Sequence, residues 1–446
     1  MPEPQPRTRE GLVRGIGLVG LTASIVNSTV GGGIFVLPAA VALRLGGAAP
    51  LAYLACLATM ALVVTCFAIA GSRVSKSGGT YGYVERAFGG YAGFVAGVLL
   101  WLSDVLGNAS VAVALVASLA VLVPALGRGI GRTALVTGLF ALLAFVNVRG
   151  VGPGVRLVKA ITAAKLVPLA VLVAAGLAFV APAHLAWPGL PRAGALGETV
   201  LLLLFAFVGV EVALEPSGEV KDPARTVPIS VFLALVLTTL LYAALQLVSQ
   251  GVLGGELARY TEAPLAEVAF RVLGPAGRAL LVVGATVSIS GYLASSMLGS
   301  PRTLFAFGRA GVLPASFARV HPRLGTPTVA IWAYAATVAV LATTGSFERL
   351  LVMSNVALLV LYLLCALACF QLVRRDVREE GRPFRLPGER LIPFLAGGAV
   401  LWVLSNATAP ELGVTAAVVA VASVLYLVRH LQRVGWLRAS KAAAGR

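Results

Sequence analysis

The stretch GLTASIVNSTVGGGIFVLPAA, Gly20 to Ala40, decides how the rest of the chain is read. It is apolar enough to enter a bilayer, yet three consecutive glycines, Gly31, Gly32 and Gly33, sit at its middle. Each glycine weakens a helix by about 1 kcal/mol relative to alanine. Three together at mid-membrane predict an unwound point. The alternative is close packing of a small-residue face. Adjacent glycines spread around a helix rather than sharing one face, which counts against it.

Outward from that stretch, apolar runs of about 20 residues recur along all 446 residues, each long enough to cross a hydrocarbon core. Mean hydropathy is +0.93 and only 12% of residues are charged, against about 25% in ordinary soluble domains. Backbone polar groups find no water in lipid, so the spans are expected to be helices; the short alternating segments of a barrel are missing. Twelve spans are expected, at roughly 14–44, 48–72, 89–123, 132–149, 155–181, 197–219, 227–252, 275–300, 327–344, 348–373, 391–408 and 412–431. Three connections read as more than linkers. Residues 73–90 and 301–326 look like cytoplasmic helices, and 254–274 like a helical external cap.

The net charge of +17 sits in short loops between apolar runs, as an orientation signal would, and gives no reason to expect nucleic acid. With the N-terminus inside, 25 of the 35 basic residues fall on the cytoplasmic side and 8 outside; Lys159 and Lys165 lie within the fifth span. Both termini are therefore expected in the cytoplasm, with the chain in the cell membrane. The first apolar run lacks the small-residue cleavage site of a signal peptide. The cysteines, Cys56, Cys66, Cys365 and Cys369, fall inside spans and read as small buried hydrophobes. Cys365 and Cys369 share a helix face, but no His or acid joins them there, so no metal site is expected.

The sixth span, ETVLLLLFAFVGVEVALEPSGEV (198–220), carries the second interruption. Gly209 precedes Glu211, and Glu215-Pro216 follows. An acid inside an apolar span marks a functional site by default, and Pro216 disrupts the turn before it. Interruptions at matching places in two halves point to a transporter's binding site. An unwound helix frees amides at one half and carbonyls at the other, which suits an anion and a cation respectively. A zwitterion fits both.

With these motifs the chain resembles the amino acid–polyamine–organocation (APC) transporter superfamily. The carrying motifs are GGGIFVLP (31–38), FAFVGVE (205–211) followed by EVKDPARTVPIS (219–230), and SPRTLFAFGRAGVLP (300–314). The resemblance implies a LeuT-like five-plus-five inverted repeat over 14–181 and 197–373, with helices 1 and 6 broken. An external loop at 182–196 would join the repeats, and a cytoplasmic loop at 374–390 would lead to helices 11 and 12 at 391–431. Cytoplasmic tails would occupy 1–13 and 432–446.

The resemblance also implies that a substrate carboxylate meets the amides of Gly31, Gly32, Gly33 and Ile34. The substrate amine would meet carbonyls near Ile25, Val26, Phe205, Ala206 and Val208. Phe205 would close over the substrate, unless it is an ordinary packing aromatic. Glu211 would take part in proton coupling, unless it only pins the broken helix. Lys165 stands inside the fifth span, where an unpaired ammonium is costly. In similar proteins a lysine here takes the place of a sodium ion beside first-span carbonyls and an eighth-span serine, here Ser288; the alternative is snorkelling to the cytoplasmic face. Asp104 either recognises a basic side chain or faces water from a tilted helix. One departure stands out: Ser300-Pro301-Arg302 replaces the usual Ser-Arg at the end of span eight.

The leading function is secondary transport of amino acids, by proton coupling or exchange. An arginine–agmatine type of basic amino acid/amine antiporter is the alternative. An integral-membrane enzyme would need clustered acids or histidines, whereas His184, His321 and His430 are dispersed. The expected partners are a small amino acid, the lipid bilayer and, as a candidate coupling ion, the proton. No cofactor is expected, and no phosphate-binding loop offers ATP a site.

Overall fold

A computed structural model of the chain describes residues 17–74, 79–149, 155–187, 189–209, 220, 223–379 and 383–444; for 79, 155–164, 223–224, 298, 430 and 433–444 it describes the backbone alone. The described residues form helices joined by short turns. Glu211, Glu215 and Pro216 lie outside them.

The first apolar run is not one helix. α1 covers Leu18–Thr29, a single 3-10 turn covers Gly33–Phe35, and α2 covers Leu37–Leu45. Then come α3 (Ala49–Gly71), α4 (Gly79–Phe88), α5 (Gly90–Ala120), α6 (Gly129–Val148) and α7 (Val155–Gly176). α8 (Ala193–Leu203) passes into a 3-10 turn at Leu204–Phe207. α9 (Pro223–Leu253), α10 (Pro264–Gly299), α11 (Pro301–Arg309), α12 (Thr328–Thr344), α13 (Phe347–Arg374), α14 (Ile392–Leu404) and α15 (Ala409–Ala444) complete the order. Proline recurs in the first turn of α2, α3, α10, α11 and α14. There its missing N–H costs nothing and its fixed φ suits the helix.

Seven helical stretches among the described residues are long and apolar enough to cross a membrane. Five shorter apolar helices, Leu18–Thr29, Lys165–Phe179, Ala193–Phe207, Thr328–Thr344 and Ile392–Leu404, fall below that length. In the first span the glycine run separates α1 from α2. The segment 254–274 is helical, as expected of it. It is a 3-10 stretch at Gly254–Arg259, after which α10 runs from Pro264 through a turn of the backbone at Gly274, ahead of Pro275, into the span.

α5 is buried along most of its length and packs along α13. Ser354 Oγ donates to the Ser103 carbonyl (2.8 Å), and Ser110 Oγ to the Phe347 carbonyl (2.9 Å). Pairing such hydroxyls with carbonyls removes the cost of placing them among apolar side chains. At one end of the bundle, the segment between α13 and α14 is tied to the α3–α4 corner. Arg73, 1% exposed, bridges Asp376 (3.3 Å) and Glu389 (3.2 Å). Arg86 pairs with Glu379 (2.7 Å), and the Phe384 amide donates to Ser72 Oγ (3.0 Å).

Candidate functional site

The end of α1 is built from competing demands on its backbone. The Val30 amide still donates to the Val26 carbonyl (2.9 Å), as in a helix. The Gly31 amide turns back on the Thr29 carbonyl (2.8 Å), so it is occupied, unlike the free donor expected of it. The amides of Gly32, Gly33 and Ile34 donate to nothing among the described residues, and all three residues are buried. Unpaired buried amides are rare and costly, so these three are the natural seat of an anion. Of the carbonyls expected to face an amine, that of Ile25 accepts from Thr29 Oγ1 (2.8 Å).

Lys165 reaches this end of α1. Its ammonium donates to the Asn27 carbonyl and to the Val30 carbonyl (3.0 Å), and the residue is 4% exposed. It therefore does not snorkel. A cation on the last carbonyls of a helix meets the negative end of its dipole. Tyr242 of α9 adds a hydroxyl to the Thr29 carbonyl (3.0 Å). Ser288, expected beside Lys165, is buried on α10, but no hydrogen bond joins the two, and its Oγ has no partner among the described residues.

The end of α8 comes to the same place. After the 3-10 turn, Val208 is extended and Gly209 has φ +110°. A Cβ on Gly209 would lie 2.8 Å from the Ser28 carbonyl oxygen and 3.1 Å from the Thr29 amide nitrogen. Only glycine allows both that φ and that approach. The end of α1 and the Gly209 end of the α8 segment, about 180 residues apart in sequence, thus lie backbone against backbone.

Phe205, 7% exposed, fills the space between them. Its ring carbon Cδ1 stands 2.9 Å from where a Gly33 Cβ would be, and Cε2 3.4 Å from where a Gly107 Cβ would be. Gly32 in turn faces Ile289 of α10 and Val111 of α5, each 3.2 Å from a Cβ placed on it. Ala206 is buried and Val208 half-buried. Phe207 packs edge-on against Tyr242, ring centroids 5.6 Å apart. Asn355 of α13 donates to the Leu201 carbonyl (2.6 Å), fixing the last turn of α8.

The structure thus brings Ile25, Val26, the three glycines, Ile34, Phe205, Lys165 and Gly209 to one locus, while Glu211 lies outside the described residues. The sequence reading missed Tyr242, Gly107 and Asn355. A polar Asn in the apolar run of α13 was the available signal, since such residues are rare in lipid unless paired.

The amino acid permease family pattern matches residues 16–430. The chain belongs to that family, within the APC group. An uncharacterized transporter of Mycobacterium tuberculosis is 34% identical over 437 residues, covering 94% of this chain and 92% of the relative. The branched-chain amino acid permease BcaP of Bacillus subtilis is 26% identical over 418 residues, 89% of each chain. The serine/threonine exchanger SteT of the same organism is 27% identical over 418 residues, 89% of this chain and 91% of the relative. The permease is accordingly a multi-pass membrane protein of an amino acid transport family rather than an enzyme.

Proposed function

We propose that this permease is a secondary active transporter of neutral amino acids in the cell membrane. It works by alternating access, coupled to protons or to exchange. The observation that carries the reading is Lys165, a buried ammonium set on the carbonyls of Asn27 and Val30, next to three unpaired amides. That arrangement offers an anion site and a cation in place at one helix break. The substrate carboxylate takes the amides of Gly32, Gly33 and Ile34. The amine takes carbonyls from the α1 and α8 ends, and Phe205 swings aside to admit the side chain. Lys165, with Ser288 and Glu211 as further candidates, carries the proton.

The architecture that goes with this reading has twelve spans, the first and sixth broken. Two five-helix repeats occupy 14–181 and 197–373, helices 11 and 12 occupy 391–431, and both termini are cytoplasmic. Neutral substrates are favoured by the names of BcaP and SteT.

Proteoliposomes loaded or unloaded with amino acid test it, using labelled leucine, valine, serine, threonine, arginine and agmatine, with and without a pH gradient. Gradient-driven or exchange-driven accumulation of a neutral amino acid is expected. Replacing Lys165 with Met should abolish the gradient-driven part. Accumulation of arginine alone, or of nothing under either driving force, would overturn the reading.

A further inference from the structure

A second polar locus lies one helical turn along α5 from Gly107 and takes no part in the site above. Asp104 Oδ2 accepts from Ser300 Oγ (2.8 Å), and Ser300 Oγ lies 3.2 Å from Ser296 Oγ. Asn108 Nδ2 faces Ser296 Oγ (2.8 Å), Tyr334 OH (2.9 Å) and the Asp104 carbonyl (2.7 Å). Three helices, α5, α10 and α12, thus converge on one carboxylate, three hydroxyls and an amide.

The hydrogen-bond arithmetic of this cluster does not close. Asn108 has two N–H groups for three oxygens. Its own Oδ1 is buried with no partner, in a residue 1% exposed. In all, about five protons face about eleven lone pairs and one negative charge. No ion pair reaches Asp104 among the described residues, and its one side-chain partner there is the Ser300 hydroxyl. A carboxylate inside a membrane span without a counter-charge is costly and marks a function.

We propose that Asp104, Asn108, Ser296, Ser300 and Tyr334 form a binding site for a compact monovalent cation such as sodium. The donor set is oxygen alone, which suits a hard cation. Its single carboxylate balances one positive charge. No trio of His, Cys, Asp or Glu that could hold a metal ion occurs among the described residues, which fits neither a divalent nor a transition metal site. Hydroxyls rotate freely, so Ser296, Ser300 and Tyr334 can turn lone pairs inward when an ion enters. Ser300, Asn108 and Tyr334 are buried, whereas Asp104 and Ser296 are half-buried and neighbouring Ser295 and Gly299 are exposed. The cluster is thus part buried and part reached from the surface at Asp104 and Ser296. An ion held there would clamp α10 and α12 onto α5, the helix that also supports Phe205 through Gly107.

The site requires no amino acid, so it is tested apart from transport. The purified full-length chain is melted in detergent while sodium, lithium or potassium replaces choline at constant ionic strength. Sodium should raise the Tm along a single-site saturation curve that choline does not reproduce. Asp104→Asn should abolish the rise. Ser300→Ala and Tyr334→Phe keep the carboxylate and should each raise the half-saturating sodium concentration about tenfold; they carry the test if Asp104→Asn does not fold. Lys165→Met should retain the sodium response, which separates this site from the one proposed for coupling. Equal melting in sodium and choline, an undiminished response in Asp104→Asn, or an Asp104-dependent rise given only by amines and not by sodium would each overturn the inference.

Discussion

Replacing Gly209 with alanine puts the contact between the two helix ends to a direct trial. The new methyl meets two separate costs. Its backbone stays at φ +110°, a region L side chains rarely adopt, at about 1–3 kcal/mol. The Cβ would also stand 2.8 Å from the Ser28 oxygen and 2.9 Å from the Ser28 carbonyl carbon. Those are backbone atoms with no rotamer to yield, and overpacking of this kind costs about 1–3 kcal/mol. Together they come to about 2–6 kcal/mol. The Ser28–Thr29 segment lies between the carbonyls that hold Lys165, so its displacement reaches the site. At about 2 kcal/mol alone, occupancy of the native arrangement falls roughly thirtyfold. The assay is thermal melting of the purified chain together with uptake in proteoliposomes. Gly138→Ala is the control, since it lies within α6 with no atom inside 4 Å of its added Cβ; it should melt at or above the wild-type temperature, because alanine is worth about 0.5–1 kcal/mol over glycine in a helix. Wild-type melting and uptake in Gly209→Ala would show that the α8 end does not bear on α1 as described.

Tyr242→Phe removes one hydrogen bond to the Thr29 carbonyl and should lower stability by about 0.5–1.5 kcal/mol, read as a lower Tm with the Phe207 packing retained. Gly107→Val pushes a branched side chain onto the Phe205 ring and should reduce uptake of large neutral amino acids more than of small ones, measured as the ratio of leucine to serine uptake. The corner where Arg73 meets Asp376 should loosen in acid. The hydrogen bond from Arg378 holds the Asp376 carboxyl below its ordinary range, helped by Arg73 and Arg385. A group so depressed adds stability that is complete above its unfolded pKa and is lost as pH falls through the folded value. Protease cleavage of the segment between α13 and α14 should therefore rise below about pH 4 and not between pH 6 and 8; cleavage that rises across the neutral range instead would refute it.

How far the sequence could be read depended on whether local chemistry or tertiary contact set each feature. Around Gly31–Gly33 the sequence argument is local, because three adjacent glycines weaken a helix wherever they stand, and there α1 ends at Thr29 with α2 beginning at Leu37. The burial of Lys165 was legible because a charge in an apolar run has few affordable places. Its partners were only half legible. The first-span carbonyls were expected, yet Ser288 does not join them: its hydroxyl on α10 stays without a partner among the described residues, a matter of helix placement that no local motif encodes. The Gly31 amide differs from a free donor for a related reason. Its amide is taken by a tight turn onto the Thr29 carbonyl, a choice set by the last turn of α1. The contact of Gly209 with Ser28 and the wedge of Phe205 between Gly33 and Gly107 join residues far apart in sequence, and no local pattern encodes such approaches. The sequence reading left the role of Asp104 open between two answers; its surroundings of hydroxyls from α10 and α12 supply a third.

On the proposed coupling, the energetics at Lys165 link proton occupancy to the position of α1. When charged, the lysine makes charge-assisted hydrogen bonds to the Asn27 and Val30 carbonyls, each worth about 1.5–3 kcal/mol. When neutral, it can keep the same contacts only as ordinary hydrogen bonds of about 0.5–1.5 kcal/mol. The difference, about 1 kcal/mol or more per bond, falls on the carbonyls that end α1. Two bonds give about 2 kcal/mol, roughly a thirtyfold shift between a state with α1 docked on α7 and one with it released. The same carbonyl-bearing segment touches Gly209, so releasing it also frees the α8 end that carries Phe205. Lys165→Arg separates charge from proton exchange, since arginine stays protonated. It should hold α1 docked, raise the Tm or leave it unchanged, and slow net transport driven by a pH gradient. An arginine variant that accumulates substrate down the gradient as fast as wild type would leave the lysine a structural clamp and nothing more.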